Sequence, residues 1–216
     1  MHPSFDIRPG LHLCRFDSDY VCLDLPADRY FLVAGDTAQA LAGFLGGYAD
    51  RGQRALLLEQ NIISPACRSR TTSLAMPPIA TASLIDQPLP QAPLPDALRA
   101  IFYQRQARTD LRRHSVGEML GLFREPAQER PANKNHQLCV DVAAAFQRAR
   151  RYVAATDQCL ARGIGMRRML ARRGCDARLV LGVTMPFAAH CWVQVGETVL
   201  TDPIDVVLHY KPIFAA

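Results

Sequence analysis

The apolar positions of the first sixty residues fall into short runs. "LHLCRF" (Leu11–Phe16), "YVCLDL" (Tyr20–Leu25) and "RYFLVA" (Arg29–Ala34) are rich in aromatic and β-branched residues, with the turn sequences "DSD" and "PAD" between them. The spacing then changes to that of a helix. "GDTAQALAGFLGGY" puts Ala38, Leu41, Ala42 and Leu45 on one face, offers Asp36 or Thr37 as cap, and stops at Gly46-Gly47. A second helix, "DRGQRALLLEQ", is expected to end near Asn61. Three strands followed by helices make a small α+β unit over residues 1–66.

From Cys67 to Pro95 this periodicity is lost. "MPPIATASLIDQPLPQAPLP" holds six prolines in twenty residues, so no helix runs through it, and residues 67–95 read as a linker. Helical spacing returns at Asp96, where Leu98, Ile101, Phe102 and Leu111 are the expected apolar positions. "SVGEMLGLF" reads as a helix capped by Ser115, with Glu118 three residues on. "QLCVDVAAAFQRARRYVA" reads as another, and "TDQCLARGIGMRRMLARRG" as a last one from about Thr156 to Arg173, stopped by Gly174. Three strands come after it: "ARLVLGV", "AHCWVQV" and "TVLTD". Residues 96–216 are thus a second α+β unit, helices before an antiparallel sheet.

Composition adds little to that outline. Of 216 residues 49% are hydrophobic and 21% charged, as in an ordinary globular protein. No apolar run approaches the ~20 residues that span a bilayer. The opening "MHPSFDIRPG" has no basic n-region or apolar core, so a cytoplasmic protein is expected. Seven cysteines without a C-x-x-C pair point to free thiols, not a disulfide framework. Charge is uneven: residues 1–63 carry 5 Arg against 8 Asp or Glu, and the remainder carries the net positive charge. The arginines sit in helical stretches such as "RQARTDLRRH", which read as solvated faces.

Candidate chemistry lies in the last hundred residues. In "AAHCWVQV", Ala189, Cys191, Val193 and Val195 point to one side of a strand, and His190, Trp192 and Gln194 to the other. An imidazole beside an indole marks either a tolerant surface or the wall of a site. Cys159 stands in a first helical turn behind the caps Thr156 and Asp157, where unpaired N–H groups and the helix dipole favour thiolate. His190 lies 31 residues later and Asp202 another 12, each on a strand. Cysteine on a helix start, histidine on a strand and aspartate on the next is the logic of a Cys-His-Asp triad. Backbone N–H groups near Cys159, with Gln158 as a further donor, would form the oxyanion hole. Register sets a condition. With Gly196-Glu197 as a plain two-residue turn, Asp202 would oppose Cys191 and face away from His190, so the triad requires an irregular hairpin. A metal site from Cys159, Cys175, His190 and Cys191 is the alternative use of these residues, but it lacks the close ligand pairs usual for zinc.

The stretch "CLARGIGMRRMLARRGCDARLVLGV…AAHCWVQVGETVLTDP" resembles the transglutaminase-like cysteine protease of lasso-peptide biosynthesis, the B-protein family. Cys159-Leu160, Met169 to Gly174, Ala189 to Val193 and Asp202 carry the resemblance, together with the arginine-rich helix at Arg99–Arg113. The family usually has a small residue such as Ala where this chain has Cys191, and Gly163 and Gly165 weaken the helix. The first unit resembles the winged-helix-like leader recognition element of ribosomally made, modified peptides (RiPPs) through "YVCLDLPADRYFLVAGDTAQALAGFL". The resemblance implies a leader-binding domain fused to a transglutaminase- or papain-like peptidase. A leader would add as a strand along Arg29, Tyr30, Phe31, Leu32 and Val33 and pack on residues from about Ala55 to Ile62, with Leu57 and Leu58 as pocket residues.

The activity implied by the resemblance is that of a leader peptidase. It would bind the leader of a lasso-peptide precursor, cleave it from the core before macrolactam cyclisation, and use no cofactor or metal of its own. Its partner would be an asparagine-synthetase-like lasso cyclase, through which ATP would enter. Two other readings stay open on the residues alone: transglutaminase-like acyl transfer to an amine, and a non-catalytic peptide-binding adaptor. DNA binding by the first unit is weaker, because that unit is acidic.

Overall fold

The computed structural model describes residues 4–66, 76–121, 136–153 and 158–216. The chain divides into two compact units, Met1–Leu74 and Ala75–Ala216. Both are α+β.

The first unit opens with β1 (Phe5–Ile7) and then forms the expected three-strand meander: β2 (Leu11–Phe16), β3 (Asp19–Asp24) and β4 (Arg29–Val33). Its turns use aspartate for left-handed backbone, at Asp17 (φ 51°) and Asp28 (φ 54°), a conformation that Asp tolerates better than most residues. Helix α1 (Gly35–Leu45) starts directly after Ala34 without a side-chain cap, so Asp36 and Thr37 lie inside its first turn. Helix α2 (Arg51–Glu59) is capped reciprocally by Asp50 and Gln53, a device worth about 1 kcal/mol. A short β5 (Ile63–Pro65) closes the unit by pairing antiparallel with β1. Each of these two strands is only three residues long, too short for its pattern to stand out in the sequence.

The core of this unit is Tyr20, Cys22, Val33, Leu41, Leu57, Ile62 and Ile63, with Phe31 packed against it. This revises the expected pocket. Leu57 is fully buried and belongs to the core, because the inner face of α2 must cover the sheet, whereas Leu58 on the next position is 38% exposed. Among the described residues strand β4 pairs with β3 alone, as an edge strand of its sheet. Along it Leu32 stands exposed, Tyr30 and Phe31 are half-buried, and Arg29 lies over the Phe31 ring.

The second unit takes up most of the proline-rich stretch. Ala82–Ser83 forms β6, followed by a 3-10 turn at Leu84–Asp86. The linker expected over residues 67–95 is therefore shorter than the composition suggests, since a two-residue strand needs no proline-free run. Helices α3 (Leu94–Leu111), α4 (Val116–Gly121), α5 (His136–Ala149) and α6 (Cys159–Ala171) come next. The Ser115–Glu118 capping box is formed at the start of α4. Then come β7 (Arg178–Thr184), β8 (Ala188–Val195), β9 (Thr198–Val199), α7 (Ile204–Leu208) and β10 (Lys211–Ala215). The sheet runs β10-β7-β8-β9-β6 and is antiparallel except for β6, which lies parallel to β9. Among the described residues no helix is long and apolar enough to cross a membrane.

The buried face of α3 is not the expected one. Leu98 and Phe102 are 63% and 62% exposed, and the helix instead buries Ala97, Ala100, Gln104 and Ala107. Close approach to α6 explains the choice: a Cβ on Gly165 would sit 3.0 Å from the backbone nitrogen of Gln104. Gly163 works in the same way on the other side, where a Cβ would meet Leu179 at 2.5 Å. These glycines sacrifice helix propensity for packing, and they draw α6 tightly between α3 and the sheet.

Candidate active site

Cys159 is the first residue of α6. The helix has no side-chain cap from Gln158, and the expected caps Thr156 and Asp157 lie outside the described residues. Gln158 thus leaves the first-turn N–H groups and the positive dipole end beside the thiol.

The sheet edge opposite is also open. Strand β8 pairs with β9 only at Gln194↔Val199 and Val195↔Thr198, across the plain two-residue turn Gly196-Glu197. The irregularity that the triad requires is thus not in the turn but after it. Leu200 N–H still donates to the Val193 carbonyl, but the Val193 N–H goes to the Thr201 hydroxyl at 3.1 Å. The chain leaves the ladder there, short of the expected strand end. Asp202 is consequently a loop residue, its carbonyl held by the Ser83 hydroxyl at 2.7 Å. Free of the strand's alternation, its side chain turns towards His190 and not away from it.

With β9 so short, the N–H of Cys191 is left unpaired in the ladder, and it hydrogen-bonds the sulfur of Cys159. The Cys191 thiol and the His190 ring bond the same sulfur. His190 Nε2 lies 3.4 Å from Asp202 Oδ2, an ion-pair contact longer than a tight hydrogen bond. With Nε2 turned to the carboxylate, Nδ1 is the ring nitrogen left for sulfur. The structure therefore brings Cys159, His190 and Asp202 together in that order.

These contacts set the electrostatics. Hydrogen bonds from Cys191 and His190, against the opposing effect of burial, draw the Cys159 thiol down to about 4. The Asp202 carboxylate and the Cys159 sulfur beside the ring push His190 up to about 9. Burial alone would raise Asp202, but the nearby His190 ring, the Arg162 guanidinium and the Thr201 hydrogen bond together hold it below the usual carboxylate range. Thiolate, imidazolium and carboxylate coexist across neutral pH. The Cys191 thiol, hydrogen-bonded to Cys159 and fully buried, is driven well above the ordinary thiol range.

Two of the remaining expectations change, at Trp192 and at Cys175. Trp192 is not a wall of the site. Its indole is 1% exposed, packs with Val180, Val199 and Val207, and donates to Gln194 Oε1, so only His190 on that face borders the site. Gln158 is buried beside Cys159, and its Oε1 accepts a hydrogen bond from Gln104 at 2.8 Å. That leaves its NH2 group free of Gln104 for another acceptor. Cys175 does not join Cys159: it faces Cys139 at 3.9 Å, both thiols being buried. Sequence reasoning missed Arg162 and Tyr210. Arg162 Nη2 donates to Asp202 Oδ1 at 2.7 Å, and the Tyr210 ring lies 5.2 Å from that of His190. A signal for Arg162 was present, since a residue three positions after Cys159 shares its helix face.

A 45-residue stretch is 47% identical to the microcin J25-processing protein McjB of Escherichia coli, covering 20% of this chain and 22% of that protein. No solved structure matches the chain. Residues 97–215, more than half of the sequence, match the model of the transglutaminase-like superfamily, and the chain belongs to that superfamily.

Proposed function

We propose that the protein is a cysteine peptidase of lasso-peptide biosynthesis. It binds the leader of a ribosomally made precursor and cleaves that leader from the core before the macrolactam is closed. The observation that carries the reading is the contact of Cys159, at a helix N-terminus, with His190, whose Nε2 faces Asp202. The match to a microcin-processing protein supports the substrate class.

The Cys159 thiolate attacks the carbonyl of the last leader residue. The oxyanion is held by the Cys159 backbone N–H and by the Gln158 amide, which Gln104 orients. His190, charged at neutral pH, donates its proton to the departing core amine, leaving an acyl-enzyme. Neutral His190 then takes a proton from water, and the hydroxide releases the leader acid. The side chains supply every proton transfer, so no cofactor is needed in the chemical steps. ATP enters through the partner cyclase, which consumes the freed amine.

The first unit is the leader binder. Edge strand β4, Arg29–Val33, offers backbone groups for strand addition, and exposed Leu32 and Leu58 with half-buried Tyr30 and Phe31 supply apolar contacts. The test is mass analysis of a neighbouring-gene precursor incubated with the protein. Release of an intact leader acid supports hydrolysis. An amine adduct of the leader would indicate acyl transfer, and binding without cleavage would indicate an adaptor.

A further inference from the structure

Arg162 enters the site from the same helix as Cys159, one turn further along. Its guanidinium takes Oδ1 of Asp202, and the other oxygen of that carboxylate faces His190. Both side chains are largely withdrawn from solvent, at 13% and 11% exposure. The cysteine's helix therefore also carries the cation that anchors the third member of the cluster.

This placement has two consequences. First, a carboxyl buried at a loop end tends to protonate, and a neutral carboxyl cannot hold an imidazolium. The Arg162 charge opposes that tendency. Second, Asp202 lies outside the ladder, so no strand fixes its side-chain rotamer. Tying Oδ1 to Arg162 leaves Oδ2 as the oxygen presented to His190 Nε2. Arg162 Nε is itself buried and has no hydrogen-bond partner among the described residues, so the bond to Asp202 is what aims the guanidinium among them.

Resting on the cysteine-peptidase reading, we propose that Arg162 is a positioning residue for the reaction. It keeps Asp202 ionised and aimed at His190, and it links the nucleophile's helix to the loop that carries the carboxylate. It does not touch the scissile bond. A merely structural bridge between helix and loop would have the same geometry, so the test must read the charge state of the cluster as well as the rate.

The experiment compares wild type, Arg162→Gln, Arg162→Lys, Asp202→Asn and the Arg162→Gln/Asp202→Asn double variant. Leader cleavage gives kcat and KM, and iodoacetamide alkylation of Cys159 across pH gives the acid limb of the thiolate. Arg162→Gln is expected to lower kcat on the order of 10- to 100-fold with KM unchanged. It should also move the alkylation limb to higher pH, and Arg162→Lys should recover part of both. In the Asp202→Asn background, Arg162→Gln should cost nothing more, since Arg162 acts through that carboxylate. An equal loss in both backgrounds, or an alkylation limb unchanged by Arg162→Gln, overturns the proposal. Should Arg162→Gln not fold, Arg162→Met, which also removes the charge, takes its place in both backgrounds, with the same two outcomes. If wild type cuts no precursor, the peptidase reading fails, and the alkylation limbs still decide the role of Arg162.

Discussion

Gly182 lies directly opposite His190 in the β7–β8 ladder, and a Cβ there would stand 2.6 Å from the Trp192 ring and 2.9 Å from Cβ of Tyr210. The absent side chain leaves that space to the indole and to Tyr210. His190 then rests near both rings, at 6.5 Å from Trp192 and 5.2 Å from Tyr210. Gly182→Ala should destabilise the second unit by about 1–3 kcal/mol through overpacking. Thermal melting reads this directly, and an unchanged midpoint would show that the aromatic layer yields freely.

The depressed thiol and raised imidazole define a pH window. Thiolate dominates above about 4, and His190 keeps its proton up to about 9. Peptide cleavage needs both, so kcat/KM should form a bell with limbs near those values, which belong to the coupled pair. An isolated cysteine would show a single rising limb near its ordinary value of about 8.5 instead. Leader cleavage measured on both sides of the window distinguishes the two shapes.

Cys191 is the largest contributor to the depressed Cys159 thiol. Replacing it with Ala removes one donor but leaves the backbone N–H, His190 and the helix start in place. The acid limb of Cys159 alkylation should rise by about one to two pH units, the worth of a hydrogen bond to a charged group. Cleavage at neutral pH should persist, because His190 still holds the thiolate. A limb that does not move would deny Cys191 this role.

Leu32 and Leu57 are expected to separate binding from folding. Leu32→Asp alters an exposed position on edge strand β4 and should weaken leader binding without lowering the melting temperature. Leu57→Ala opens a cavity in the core of the first unit and should cost about 2–5 kcal/mol. Fluorescence titration of labelled leader, with melting curves for both variants, checks the contrast. Equal binding by wild type and Leu32→Asp would place the leader elsewhere.

Much of this site was legible in residue order. A cysteine at a helix start and a histidine in a strand are local features, each set by nearby sequence, whereas the aspartate expected at the end of the next strand lies in the loop after it. Arg162 escaped notice because one arginine among many in "CLARGIGMRRMLARRG" looks like a solvated face, and its place three residues after Cys159 does not by itself reveal the carboxylate it meets. The buried side of α3 escaped for the opposite reason. Leu98 and Phe102 are the more apolar residues, but the tight approach to Gly165 admits only the alanine face. The position of Asp202 depended on where β9 leaves the ladder, and a hydroxyl at Thr201 replacing a backbone acceptor decides that. No hydrophobic pattern records such an exchange. The short strands β1, β5, β6 and β9 are defined by their partners more than by their own residues.

Everything proposed for the second unit rests on Cys159 as the nucleophile of leader removal. Wild type and Cys159→Ala should be mixed with a precursor from the neighbouring genes, with and without the cyclase and ATP, and the products read by mass while leader binding is measured for both. Wild type is expected to release the leader, whereas Cys159→Ala should bind it equally well and leave it uncut. Cleavage by Cys159→Ala at the wild-type rate would contradict the nucleophilic role of this thiol.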